Sequence, residues 1–115
     1  MSDARFTDWL QEKTALPGLI GIGIYAPGKP TMMQACASGV SELALENAWR
    51  CAAETIPVLQ FNGFPTGGFR FVFAQAFVHC ERRPDGTCIG ICALKNDKIF
   101  SPAQLETLLA EFHAL

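Results

Sequence analysis

Residues 69–94 read FRFVFAQAFVHCERRPDGTCIGICAL, two apolar stretches on either side of the polar run ERRPDG. A strand with one wet face alternates apolar and polar side chains, and neither stretch sustains that alternation. Both faces of these strands are therefore expected to be covered, which points to a sheet sandwiched between helices. Arg83-Pro84-Asp85-Gly86 carries Pro at i+1, Asp at i+2 and Gly at i+3, the chemistry of a type I turn followed by a glycine in left-handed conformation. Antiparallel strands are predicted at about 77–82 and 87–94, with Arg82 opposite Cys88. Fourteen residues, 69–82, are long for one strand; we favour a tight reversal at Gln75-Ala76, which gives a three-strand meander. The alternative keeps 69–82 as one strand and uses Asn62-Gly63 as a hairpin turn with residues 58–61. Six of the nine phenylalanines lie from Phe61 to Phe77, a density that points to a partner surface as well as an interior.

Working back toward the N-terminus, residues 42–55 place Leu45, Ala48, Trp49, Ala52 and, just beyond, Ile56 on one stripe, with Ser41 as cap and Pro57 as stop. The following PVLQFNGFPTGG reads as a loop carrying Phe61 and Phe64, which must fold onto the body or meet a partner. Residues 19–25, LIGIGIY, read as a strand with Ile20, Ile22 and Ile24 on one face and Gly21 and Gly23 on the other. Glycines on one face admit a closely packed helix, and they lie in an apolar strand instead of at the turn into a helix where a phosphate cradle needs them. Ala26-Pro27-Gly28-Lys29-Pro30 forms a turn, and residues 31–37, TMMQACA, are the partner strand across it. Residues 4–14 form a first helix through Phe6, Trp9, Leu10 and Lys13, with Asp3 as cap and Leu16-Pro17-Gly18 as terminator. At the other end, Ser101-Pro102-Ala103-Gln104 combines an N-cap, proline at the first helical position and a capping-box glutamine. Leu105, Leu108, Leu109, Phe112 and Leu115 follow as an apolar face. The order is helix, two strands, helix, three strands, helix.

With 115 residues the chain is read as a single domain, 1–115, able to bury roughly two-thirds of its unfolded surface. Charged residues are 17% and hydrophobic ones 50%, an apolar balance for a small monomer, so an oligomer is expected. A net charge of -2 with no basic run beyond Arg82-Arg83 argues against nucleic acid and anionic membranes as partners. No run approaches a membrane span or a signal core, and the cytoplasm is the expected compartment. Cys36, Cys51, Cys80, Cys88 and Cys92 are odd in number and lack CxxC spacing, which suits free thiols.

If Arg82 pairs with Cys88, then Cys80, Cys88 and Cys92 share one face of the sheet and His79 points to the other. Three thiols could bind a metal or form a redox pair, but no fourth ligand completes a zinc site, and burial beneath a close-packed helix beside Gly90 is the preferred reading. No cofactor or metal is assigned. His113 suits a helix C-terminus. Arg70, Arg82 and Arg83 read either as a small positive patch for an acidic partner or as solvated strand ends. No triad, paired carboxylates or phosphate loop stands out, and the chain reads as a non-enzyme.

The segments LPGLIGIGIYAPG, SELALENAWRCAAE and FRFVFAQAFVHCERRPDGTCIGICALKN, in this order, resemble the roadblock/LC7 family, a profilin-like fold of dynein light chains and bacterial regulators of Ras-like GTPases. The likeness covers nearly the whole chain. It implies an α+β fold, α-β-β-α-β-β-β-α, with a five-stranded antiparallel sheet, the central helix on one face and the N- and C-terminal helices on the other. It further implies a homodimer or paralogue heterodimer in which the first meander strand pairs with its copy, bringing Trp49, Ala52, Phe69, Phe71 and Phe73 to the interface. The expected role is a non-catalytic scaffold that binds or regulates a Ras-like small GTPase or another signalling protein. The alternative is a profilin- or PAS-like small-ligand or thiol-redox module, with the Phe61 and Phe64 loop as lid and the cysteine face as reactive wall; a subunit of a larger assembly is a third.

Overall fold

Alternation along the strands builds two separate cores, one on each side of a single sheet. The computed structural model of the chain describes residues 3–25, 33–63 and 68–115. The elements are α1 (Asp3–Lys13), β1 (Leu19–Tyr25), β2 (Met33–Cys36), α2 (Glu42–Phe61), β3 (Gly68–Val72), β4 (Ala76–Arg82), β5 (Cys88–Leu94) and α3 (Pro102–Ala114). The strands form one antiparallel sheet in the order β2-β1-β5-β4-β3. This is the profilin-like α+β layout.

On one face Ile22, Ile24, Phe77, Ile89, Ile91 and Ala93 pack with Phe6, Trp9 and Leu10 of α1 and Leu105, Leu108 and Phe112 of α3. On the other, Tyr25, Val78, Cys80 and Cys88 pack with Leu45, Trp49, Ala52 and Ile56 of α2. Both faces of the central strands are covered, as their missing polar alternation requires. A bulge modifies β1: the register against β5 shifts between Leu19 and Gly21, so Leu19, and not Ile20, joins Ile22 and Ile24 in the terminal-helix core.

The turn after β4 forms as its residues dictate. Gly86 N–H donates to Arg83 O at 3.0 Å, Arg83 N–H donates to Thr87 O at 2.8 Å, and Gly86 holds φ +92. Arg82 pairs with Cys88. The reversal before β4 is equally tight: Phe73 N–H donates to Ala76 O at 2.9 Å, making the three-strand meander. Ser101 and Gln104 complete their capping box, Gln104 N–H to Ser101 Oγ at 3.2 Å and Ser101 N–H to Gln104 Oε1 at 2.7 Å.

Two expectations fail around α2. Pro57 does not stop the helix, which continues to Phe61. Proline removes one i→i−4 bond, and here Pro57 sits on the exposed side while Ile56 stays anchored in the core. Asn62-Gly63, the alternative hairpin turn, is instead the C-cap: Asn62 Nδ2 donates to Val58 O at 2.8 Å and Gly63 N–H to Gln60 O at 3.1 Å, with Gly63 at φ +80. The predicted turn at 26–30, the start of the second strand at 31–32 and the loop position Phe64 lie outside the described residues.

Candidate interaction surface

Glycine and tryptophan close one half of the α2 face of the sheet. A Cβ on Gly21 would run into Leu45, one on Gly23 into the Trp49 pyrrole edge, and one on Gly90 into its six-membered ring. The indole therefore lies directly on bare backbone, as strand glycines on one face allow. Its Nε1–H donates to Gln34 Oε1 at 3.0 Å, and Gln34 Nε2 donates to Glu42 O at 2.9 Å, so the buried polar edge is satisfied. Trp49 and Ala52 are fully buried within the single subunit. Neither has surface left for a second chain, which corrects their placement at the dimer interface; they hold α2 to the sheet.

The other half is open. Among the described residues β3 is the last strand of the sheet, bonded to β4 on one side only. Phe69 and Phe71 stand opposite Cys80 and Val78, hence on the α2 face, and meet edge to face with ring centroids 5.2 Å apart. Phe69 is half-buried, whereas Phe71, Val72 and Phe73 are 38%, 59% and 58% exposed. Leu43, Val58 and Phe61 of α2 are exposed as well, Phe61 at 91%. Sequence periodicity already puts Leu43 off the stripe of Leu45, Trp49, Ala52 and Ile56; Phe61, expected in a loop that folds onto the body or meets a partner, instead ends α2 and stays exposed. Arg70 faces the opposite side, where its guanidinium lies 4.8 Å over the Phe77 ring and its Nε donates to His79 Nδ1 at 3.4 Å.

The thiols lie where the register put them. Cys80 and Cys88 are buried beneath α2, and Cys92 packs against the same cluster. All five cysteines are free, Cys51 alone being exposed. Burial pushes Cys80 and Cys88 each up to about 11 and raises Cys92. Tyr25 is raised by burial and then by the neighbouring Cys80 and Cys88; its hydroxyl leans on Cys80 without reaching an ordinary hydrogen-bond geometry. Such thiols are poor nucleophiles. Among the described residues no three His, Cys, Asp or Glu side chains converge as a metal requires.

Arg83 overturns both of its sequence readings. It is neither a positive patch nor solvated: it is buried, donates through Nη1 to Phe112 O at 3.0 Å and Leu115 O at 2.9 Å, and stacks 4.9 Å over the Phe112 ring. It caps the C-terminal end of α3 while Asp85 balances its charge at 2.7 Å. That contact, with the Thr87 N–H second, holds Asp85 down to about 2. His79 faces away from the thiols as expected.

Two grooves remain. One of about 210 Å³ lies between α1 and α3, against Lys13, Leu16, Gln104, Leu108 and Glu111. Another of about 110 Å³ lies by Arg70, Phe77, Asp97 and Leu105. Both are smaller than the roughly 300–1,000 Å³ of ordinary ligand sites. No helix among the described residues is long and apolar enough to cross a membrane. The chain matches no protein-family model, and a search of curated proteins finds no match either.

Proposed function

We propose that this chain is a non-catalytic, roadblock-type platform that dimerises through β3 and presents a composite surface to a Ras-like small GTPase or another signalling protein in the cytoplasm. The observation that carries the reading is the edge of β3, which no strand among the described residues pairs on its outer side, with Phe71, Val72 and Phe73 exposed. An apolar edge strand left open is a template for another strand, and a second copy carries the matching one. The low charge and high apolar content of the chain support a covered surface. A thiol-redox role needs a lowered thiol pKa, and burial drives Cys80 and Cys88 the other way.

Light scattering at micromolar concentration tests the assembly: a dimer is expected, and a stable monomer overturns the reading. Calorimetric titration of the dimer with a Ras-like GTPase in each nucleotide state tests the partner. Failure of both forms to bind removes the GTPase while leaving the platform for another signalling protein.

A further inference from the structure

The backbone of β3 dictates how a second copy can join it. Phe73 N–H is used toward Ala76 of β4, and in an antiparallel ladder residues two apart direct their N–H and C=O to the same side. Phe69 and Phe71 therefore bond to β4, and the groups of Gly68, Arg70 and Val72 face the open edge. Any strand added there must pair its own outward residues with these.

We infer that two copies join β3 to β3 antiparallel with the two-fold axis at Phe71, so that Arg70 of each exchanges backbone hydrogen bonds with Val72 of the other. This inference rests on the dimer reading and specifies its interface. Three observations select the register. First, Phe69-x-Phe71-x-Phe73 is symmetric about Phe71, and only this axis sets a phenylalanine opposite every phenylalanine on the α2 face: Phe71 against itself and Phe69 against Phe73 of the second copy. Directly opposed side chains come closest at non-hydrogen-bonded positions, and aromatic pairs there stabilise a sheet. Second, an axis at Arg70 would place two guanidinium-bearing residues directly opposite on the other face and leave Phe73 without a facing ring; like charges so placed are destabilising. The Phe71 axis sets Arg70 across from Val72 instead. Third, an axis at Val72 would need Ala74 as a ladder residue, and Ala74 lies in the tight reversal between Phe73 and Ala76. An axis at Phe69 would leave Phe73 outside the overlap.

Single cysteines at Arg70, Phe71 and Val72, each on a Cys51→Ser background, test the register by oxidation with diamide and non-reducing electrophoresis, after light scattering of each reduced sample. Phe71→Cys is expected to form a covalent dimer at least ten-fold faster than Arg70→Cys or Val72→Cys. Amide hydrogen exchange on the unsubstituted protein gives a second measurement: Arg70 and Val72 should be protected and Gly68 not. Fastest cross-linking at Arg70, or protection extending to Gly68, overturns the Phe71 axis in favour of the Arg70 one. A dimer in which none of the three cross-links rapidly and Arg70 and Val72 exchange freely overturns the register but not the dimer. A monomeric unsubstituted protein overturns both.

Discussion

The two halves of the α2 face of one sheet are built in opposite ways. Over β1 and β5 the strands carry glycine, and the helix supplies the bulk through Leu45 and Trp49. At β3 the strand supplies the bulk through Phe69 and Phe71, with Phe73 just beyond its end, and part of it stays exposed. A large side chain on bare backbone fills its space from within the subunit. A row of large side chains at the edge strand is left partly uncovered by the subunit's own described residues. Counting hydrophobic residues does not separate these cases; the difference lies in which partner has room.

The largest effect should come from opening the closed half. Trp49→Ala removes the side chain that lies on Gly23 and Gly90, where the bare strands cannot swell to refill the space. It should cost about 3–5 kcal/mol of unfolding free energy, read by urea denaturation at fixed protein concentration. A loss under about 1 kcal/mol would mean that the indole is not what clamps α2 to the sheet.

Next comes the open half. Phe71→Lys adds a charge where a second copy would bury it unpaired, which costs several kcal/mol of association. Light scattering should show monomer at concentrations where the unsubstituted chain is dimeric, while far-UV circular dichroism is unchanged. Loss of the fold instead would place Phe71 with Trp49 as a residue of the subunit core and erase the distinction between the halves.

These contrasts were only partly legible in the sequence. Local chemistry gave the elements: the Pro84-Asp85-Gly86 turn fixed the β4–β5 register, and Gly21, Gly23 and Gly90 announced a close helix. The glycines did not say which residue would come down on them, because that depends on where α2 crosses the strands. Periodicity puts Trp49 on the apolar stripe of α2, and only the family resemblance brings it to an interface; it is fully buried. Pro57 misled because a local rule about a missing donor yields when the neighbouring residue is anchored, as Ile56 is. Arg83 misled because its partners, the carbonyls of Phe112 and Leu115, lie about thirty residues away in the chain. Of the interface candidates, the phenylalanine repeat of β3 is visible as a pattern in the sequence, while its place on the edge strand is expected only through the family resemblance.

Thiol chemistry sharpens the comparison without disturbing packing. Cys80 and Cys88 belong to the closed half, buried and pushed up to about 11, whereas Cys51 lies on the exposed side of α2. Near neutral pH, mass spectrometric mapping of alkylation should find Cys51 modified at least about 100-fold faster than Cys80 or Cys88, which should react only after denaturation. Rapid modification of Cys80 in native protein would show that the closed half opens on the timescale of the reaction.

The smallest effect concerns the way the edge strand is held from the opposite face. His79 Nδ1 accepts from Arg70 of β3, so its proton belongs on Nε2, which lies 4.0 Å from Glu81 Oε2; His113 Nε2 of α3 approaches the same oxygen at 3.5 Å. Burial, and then the Arg70 charge, hold His79 below its usual pKa, with Glu81 pulling the other way. Well above pH 6.5 the imidazole is neutral in both folded and unfolded chains and contributes no pH dependence. As pH falls through about 6.5 the unfolded chain takes up the proton first, so stability declines until the lower folded pKa is passed. His79→Gln keeps an acceptor for Arg70 and cannot titrate. Between about pH 7 and pH 5 the unsubstituted protein should therefore lose more stability than the variant, by less than about 1 kcal/mol, in paired urea titrations. Protonation also removes the lone pair that Arg70 uses, so the same pH range should loosen β3 and leave α2 and its glycine-backed half untouched. Parallel slopes for the two proteins would detach the edge strand from this histidine.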